Sequence, residues 1–135
     1  MNENKQPGIS FNTIFLKELQ FHRELALNSN QLNIDFNATV NFTDDKKQLF
    51  YELACNVSDK NHVLSFHCVM VGVFSVIEGA QNMELEKFAE YNAPALIMPY
   101  IRELVTTTTV RAGLNPVIFP PINIHAVIKD KKENV

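Results

Sequence analysis

The sequence predicts an α+β domain in which a four-stranded antiparallel sheet is followed by helices packed on one of its faces. Three observations carry this. In "QLNIDFNATVNFT" every even position from Leu32 to Phe42 is apolar and every odd position is polar. Unbroken period two means a strand with one dry and one wet face. Two more such runs follow, separated only by the polar turns "DDKK" and "DKN", which reads as an antiparallel meander. Beyond Val76 the alternation stops, and from Ile101 apolar positions recur at helical spacing.

Taken in order, the first eight residues read as a loose arm, as does the tail from Lys129 to Val135. From Ile9 to about Leu25 the alternation is imperfect and places Ile9, Phe11, Phe15, Leu19 and Phe21 on one face. The second strand carries Leu32, Ile34, Phe36, Ala38, Val40 and Phe42 on its dry side. The third carries Leu49, Tyr51, Leu53, Cys55 and Val57, and the fourth Leu64, Phe66, Cys68, Met70 and Phe74. Matching dry faces predicts the rows Phe36–Cys55–Phe66, Val40–Tyr51–Met70 and Phe42–Leu49–Gly72, with Gly72 marking a bulge or a close backbone approach.

A short helix is predicted from Met83 to Tyr91, and a last one from Pro121 to about Lys131 with Ile124, Val127 and Ile128 on one side. Between them "PYIRELVTTTTVRAG" reads as a helix with Pro99 in its first turn and Gly113 as its stop. Ile101, Leu104, Val105, Thr108 and Ala112 share a face. Threonine costs a few tenths of a kcal/mol per helical position, so tertiary contacts must hold this helix. No charge falls between Leu104 and Val110, which calls for cover on more than one side. Leu104, Val105, Thr108 and Ala112 are therefore the candidate oligomer interface.

The whole chain, residues 1–135, is expected to be one domain. A net charge of −3 builds no electrostatic case for nucleic acid or an anionic membrane. No apolar run approaches the ~18 residues of a membrane helix, and the start has no apolar leader, so a cytoplasmic protein is expected. The predicted rows make Cys55 and Cys68 diagonal neighbours, ~7–8 Å apart and too far for easy bridging, hence reduced core thiols. His62 and His67 fall on opposite faces of a strand, His67 and Cys68 point apart, and no tight metal-ligand spacing occurs. The four glycines are scattered, so no phosphate-cradling loop exists. Asp44, Asp45, Asp59 and Asp130 sit at turns and ends, where solvation explains them. No catalytic, metal-binding or cofactor-binding residue is predicted. Ten phenylalanines, and Phe50 and Val71 on the nominally wet face, instead point to a partner surface. The residues alone describe an oligomeric α+β binding protein.

A resemblance takes the reading further. Met98-Pro99-Tyr100-Ile101-Arg102-Glu103, then Gly113, Pro116 and Pro121-Ile122-Asn123-Ile124, resembles the SecB export-chaperone family's Pro-Tyr-x-Arg-Glu helix, glycine, proline loop and Pro-hydrophobic-Asn-hydrophobic helix. Upstream, Gly72-Val73-Phe74-Ser75-Val76, Phe50-Tyr51-Glu52-Leu53, Leu32-Asn33-Ile34-Asp35-Phe36 and Lys17-Glu18-Leu19-Gln20-Phe21 are similar to its strand motifs. The resemblance implies a homotetramer, a dimer of dimers with helices sandwiched between sheets, and an ATP-independent holdase without a catalytic site. It implies a client-binding groove lined by Ile34, Phe36, Tyr91 and Ile128.

On the sheet's outer face, Glu18 keeps one of the acidic residues that export members offer to the translocase motor ATPase. His22 and His67 stand where glutamates are expected and Ser65 where a leucine is, and the tail is short and not acidic. Some SecB-like proteins serve toxin–antitoxin modules instead. A dedicated chaperone of one partner, such as an antitoxin, is thus the close alternative, and a small-molecule-binding or enzymatic use of the same groove a third.

Overall fold

The computed structural model describes residues 6–26, 31–117 and 119. Four strands, β1 (Ile9–Arg23), β2 (Leu32–Phe42), β3 (Gln48–Asp59) and β4 (Leu64–Val76), precede two helices, α1 (Leu85–Tyr91) and α2 (Ala93–Arg111). The strands form one antiparallel sheet in the order β1-β4-β3-β2. The meander therefore runs through β2, β3 and β4, where the polar turns lie. β1 pairs with β4 rather than β2, so β1 and β2 are the two edges. The helix predicted from Pro121 to Lys131 lies outside the described residues.

The register between β2 and β3 is the predicted one, with Phe36 opposite Cys55, Val40 opposite Tyr51 and Phe42 opposite Leu49. Between β3 and β4 it differs by two residues: Leu49 faces Phe74, Tyr51 faces Gly72 and Cys55 faces Cys68. A slip of two leaves every side chain on the same face, so the apolar pattern cannot detect it. The loop decides instead. Asp59 closes it, its carboxylate accepting the Leu64 N–H at 3.0 Å and its carbonyl the His62 N–H at 3.2 Å, with His62 at a φ of 55°. Cys55 and Cys68 are consequently directly opposed, not diagonal; both are buried free thiols. Burial pushes the Cys55 thiol far above its ordinary range, Cys68 up to about 11 and the Tyr51 phenol up to about 12.

β1 shifts register twice against β4, between Phe11 and Thr13 and again between Leu16 and Glu18, leaving Asn12 and Lys17 as extra residues. Each bulge inverts the alternation. Ile9, Phe11, Ile14, Leu16, Leu19 and Phe21 therefore share the face of Phe66, Cys68, Met70 and Phe74. Phe15, expected among them, instead stands opposite Val71 on the outer face, half exposed. The supposed loose arm is tied down at its end, where the Pro7 and Gly8 carbonyls accept the Asn82 and Ile77 N–H groups. Gly8 sits at a φ of 71°, and a Cβ there would lie 1.8 Å from the Ala80 carbonyl oxygen.

α2 starts at Ala93, with Pro94 in its first turn, so Pro99 lies inside the helix rather than at its start. One residue, Asn92, joins the two helices. At the other end Gly113, at a φ of 75°, ends α2 as expected, and the Leu114 N–H returns to the Thr109 carbonyl at 3.0 Å. α2 packs on β3 and β4, burying Ile97, Met98, Ile101, Val105 and Thr109. Gly72 permits this: a Cβ there would come within 2.9 Å of Ile97 Cδ1. Phe74 anchors the core, stacked on Phe11 at 4.6 Å and edge-on to Phe88 at 5.0 Å. On the opposite face Val69, Val71 and Val73 form a smaller cluster with Ala54.

Candidate functional site

α2 divides the helical side of the sheet into two flanks. Toward β2, the chain beyond α2 folds back along the helix. The Thr106 hydroxyl donates to the Val117 carbonyl at 3.0 Å, and the Thr109 hydroxyl accepts the Val117 N–H at 3.1 Å. Thr109, fully buried, donates in turn to the Val105 carbonyl at 2.9 Å. Phe119 then lies edge-on to Phe36 of β2, ring centres 6.0 Å apart, and is itself buried. Among the described residues Thr107 bonds only to its own helix, donating to the Glu103 and Leu104 carbonyls. The threonine run thus owes two of its members to the segment that follows, which no helical periodicity reveals.

Of the groove residues, Ile34 and Phe36 lie together on β2, Ile34 partly exposed and Phe36 buried beneath Phe119. Tyr91, the last residue of α1, is 54% exposed just before α2 begins. Ile128 lies outside the described residues.

Toward β1, Tyr100 touches Phe11 edge-on at 6.3 Å, and Leu16 and Leu19 on the helical face of β1 remain exposed, as do Leu96 and Val110 of α2. Among the expected interface residues, Val105 proves to be part of the protomer's own core, fully buried against the sheet. Leu104, Thr108 and Ala112 are half-buried. Leu16 and Leu96 were hidden from the sequence for two reasons. A bulge turns Leu16 to the helical side, and a helix started at Pro99 leaves Leu96 out.

The outer face gathers Glu18, His22, Ser65 and His67 at one end of β1 and β4. The His67 ring lies between Asn56 Oδ1 at 2.7 Å and Glu18 Oε2 at 3.0 Å, while His22 faces Ser65 and approaches Glu24 at 3.2 Å. Lys17, in its bulge, bonds to Glu52, which raises the ammonium pKa. Phe15 and Phe50 stand exposed on the same face over the valine cluster.

A cleft of about 590 Å³ opens between the β2–β3 turn and the start of α1, rimmed by Asp45, Lys46, Lys47, Glu78, Glu84 and Glu86. Lys46 and Glu86 meet across it at 3.7 Å. The Asp45 carboxyl is held below its ordinary value by the Thr43 hydroxyl and the Lys47 N–H. These are turn-closing contacts, and none brings a nucleophile to a base. Among the described residues no three His, Cys, Asp or Glu side chains are grouped to hold a metal ion, and no helix is long and apolar enough to cross a membrane.

Comparison with known proteins agrees with this architecture. A protein-export protein SecB from Azoarcus is 25% identical over 141 residues, covering 98% of this chain and 93% of its own. SecB from Rickettsia bellii is 26% identical over 135 residues, covering 93% and 88%. An uncharacterized protein from Methanocaldococcus jannaschii is 42% identical over 62 residues, and this chain spans 39% of its length. Among solved structures, a SecB-like chaperone from Mycobacterium tuberculosis, in complex with a peptide from the HigA1 antitoxin, superposes with a TM-score of 0.69 at 19% identity. That match covers 85% of this chain and 90% of the other. The sequence model of the SecB family, described as preprotein translocase subunit SecB, matches residues 2–135. With that match over nearly its whole length and the same sheet-and-helix fold, the chain belongs to the SecB family.

Proposed function

We propose that this SecB-family protein is an ATP-independent holdase of the cytoplasm, assembled as a homotetramer, that keeps unfolded polypeptide from aggregating. One observation carries the reading. β2 is an edge strand, yet its dry-face residues Leu32, Ile34, Ala38, Val40 and Phe42 are only partly covered. A long apolar stripe beside a strand edge suits extended chains of many sequences, held by main-chain bonds and by pockets for alternate side chains. A small-molecule site would instead be enclosed, with polar groups converging on one point. The cleft near Asp45 is open and rimmed by charges, so it supports that alternative poorly.

The test is aggregation suppression. A chemically unfolded reporter is diluted into buffer with the purified protein and no nucleotide. Suppression at near-stoichiometric ratio supports the reading, and unchanged light scattering at excess protein overturns it.

The second reading, a chaperone dedicated to one partner, draws support from the outer face. His22 and His67 leave Glu18 as the remaining acid of the expected motor-contact set, and Glu18 is already engaged by His67. Weak binding of the translocase motor ATPase is the expected outcome by calorimetry. His22→Glu should strengthen it in a salt-dependent way. Tight wild-type binding at moderate salt would return the protein to general export.

A further inference from the structure

We propose that the segment Leu114–Val117 with Phe119 occupies the chain's own client site as a built-in competitor, and that the site is made for an extended apolar-x-aromatic segment that enters by displacing it. This rests on the holdase reading above and names the client chemistry of the same site.

Val117 is held as a bound peptide would be. Its N–H and its carbonyl each meet a threonine hydroxyl, Thr109 at 3.1 Å and Thr106 at 3.0 Å. Thr106 and Thr109 are three residues apart on α2 and therefore adjacent on its surface. Both bonds go to main chain, so any residue that keeps its N–H can take this position. Selectivity comes from Phe119, whose ring meets Phe36 at 6.0 Å in an edge-on contact at 86°. Among the described residues, the main chain from Asn115 to Val117 makes no other hydrogen bond. Val117 itself is held by these two neutral hydrogen bonds, with the Leu114 N–H bonded to the Thr109 carbonyl before it and the buried Phe119 ring after it. A client offering an apolar residue with a free N–H, and an aromatic ring two residues later, replaces the two Val117 bonds and the burial of the ring. The exchange then lies close to balance, and client concentration decides it.

The experiment uses the full chain and a fluorescein-labelled peptide, Ser-Gly-Val-Ile-Phe-Gly-Ser, with Ser-Gly-Val-Ile-Ala-Gly-Ser as control. Fluorescence anisotropy should give weak binding to the wild type and about tenfold tighter binding to Phe119→Ala, with no gain for the control peptide. Adding Thr106→Val and Thr109→Val to Phe119→Ala should abolish the gain, because the client then lacks its main-chain partners. Hydrogen exchange on the wild type provides a readout that does not depend on a variant folding. Saturating peptide should speed exchange at the Val117 amide and leave Leu53 in β3 unchanged. Unchanged or weaker binding by a folded Phe119→Ala variant, or a Val117 amide equally protected with and without peptide, overturns the proposal. If the protein suppresses aggregation while Val117 stays protected, this proposal alone falls. If it neither binds peptide nor suppresses aggregation, the holdase reading falls with it.

Discussion

On the β2 side of α2 the chain turns back and covers Phe36 of its own apolar strand; on the β1 side Leu16 and Leu19 face the same way and stay 41% and 45% exposed. Both flanks carry apolar side chains, and both border an edge strand. What differs is the hydroxyl pair. Thr106 and Thr109 fix Val117 and so deliver Phe119 to Phe36, whereas on the β1 flank α2 meets Phe11 with the edge of Tyr100. Both flanks are therefore covered in part within the chain, the β2 side by the return segment and the β1 side by α2 itself, and both keep partly exposed apolar side chains.

The sharpest way to break this comparison is at Phe74, on the boundary between the flanks and in contact with Phe11 and Phe88. Phe74→Ala should cost about 3–5 kcal/mol, since it removes a fully buried ring from both sides at once. Urea denaturation measures it. A cost below about 1 kcal/mol would mean that the region between the flanks is not the core.

Next in size is a pH effect confined to the covered interior. The Cys68 thiol lies at about 11 and the Tyr51 phenol at about 12 in the folded chain, against ordinary values of 9.0 and 10.0, with Cys55 higher still. Folded-state values are raised, so the stability these groups contribute is fully present below pH 9 and is lost as pH rises through the folded values. For Cys68 that loss is on the order of 2 kcal/mol by pH 11. Denaturation midpoints should hold steady from pH 7 to about 8.5 and then fall. Cys68→Val should flatten the fall, and an unaltered slope in that variant would remove the thiol from the account.

Smaller again is the hydroxyl pair itself. Thr109→Val keeps the shape but leaves the Val117 N–H without its acceptor, at a cost of about 1–2 kcal/mol. Thr107→Val, at an exposed position bonded to its own helix, should stay within about 0.5 kcal/mol. Equal costs at the two positions would mean that the return segment is not held by the threonines.

Legibility of the sequence followed the same division. β2, β3 and their mutual register could be read from Leu32–Phe42 because every alternate residue obeys one rule. The β3–β4 offset could not, because a slip of two preserves faces and only Asp59 and His62 set the loop. β1 misled because two bulges invert its pattern, and α2 because Pro94 and Pro99 both suit a first turn. The Phe119 contact was invisible, since nothing local links it to Phe36 across so much intervening chain. Glu18, His22, Ser65 and His67 were placed on one face by the family resemblance, but the His67 bond to Asn56 needed three strands in register.

The β1 flank gives the smallest expected change in the fold and the clearest reading of the comparison. Leu19 and Tyr100 are each 45% exposed, and the aliphatic stem of a lysine can keep part of the apolar contact each makes in the protomer. Surface changes of this kind usually stay within about 0.5 kcal/mol each. If a second copy covers this flank, the same two charges must be desolvated at the interface, and assembly rather than folding suffers. Light scattering on wild type and on the Leu19→Lys, Tyr100→Lys variant separates the cases. The expected result is a tetrameric wild type and a smaller, still folded variant with an unchanged circular dichroism spectrum. Thr108→Lys adds an internal control, since Thr108 is half-buried in the protomer and should disturb folding as well as mass. An assembly unchanged by Leu19→Lys and Tyr100→Lys would move the interface elsewhere on the molecule. A wild type that is monomeric at every concentration would leave the flank to a client, and the two sides of α2 would then be one binding surface interrupted by a helix.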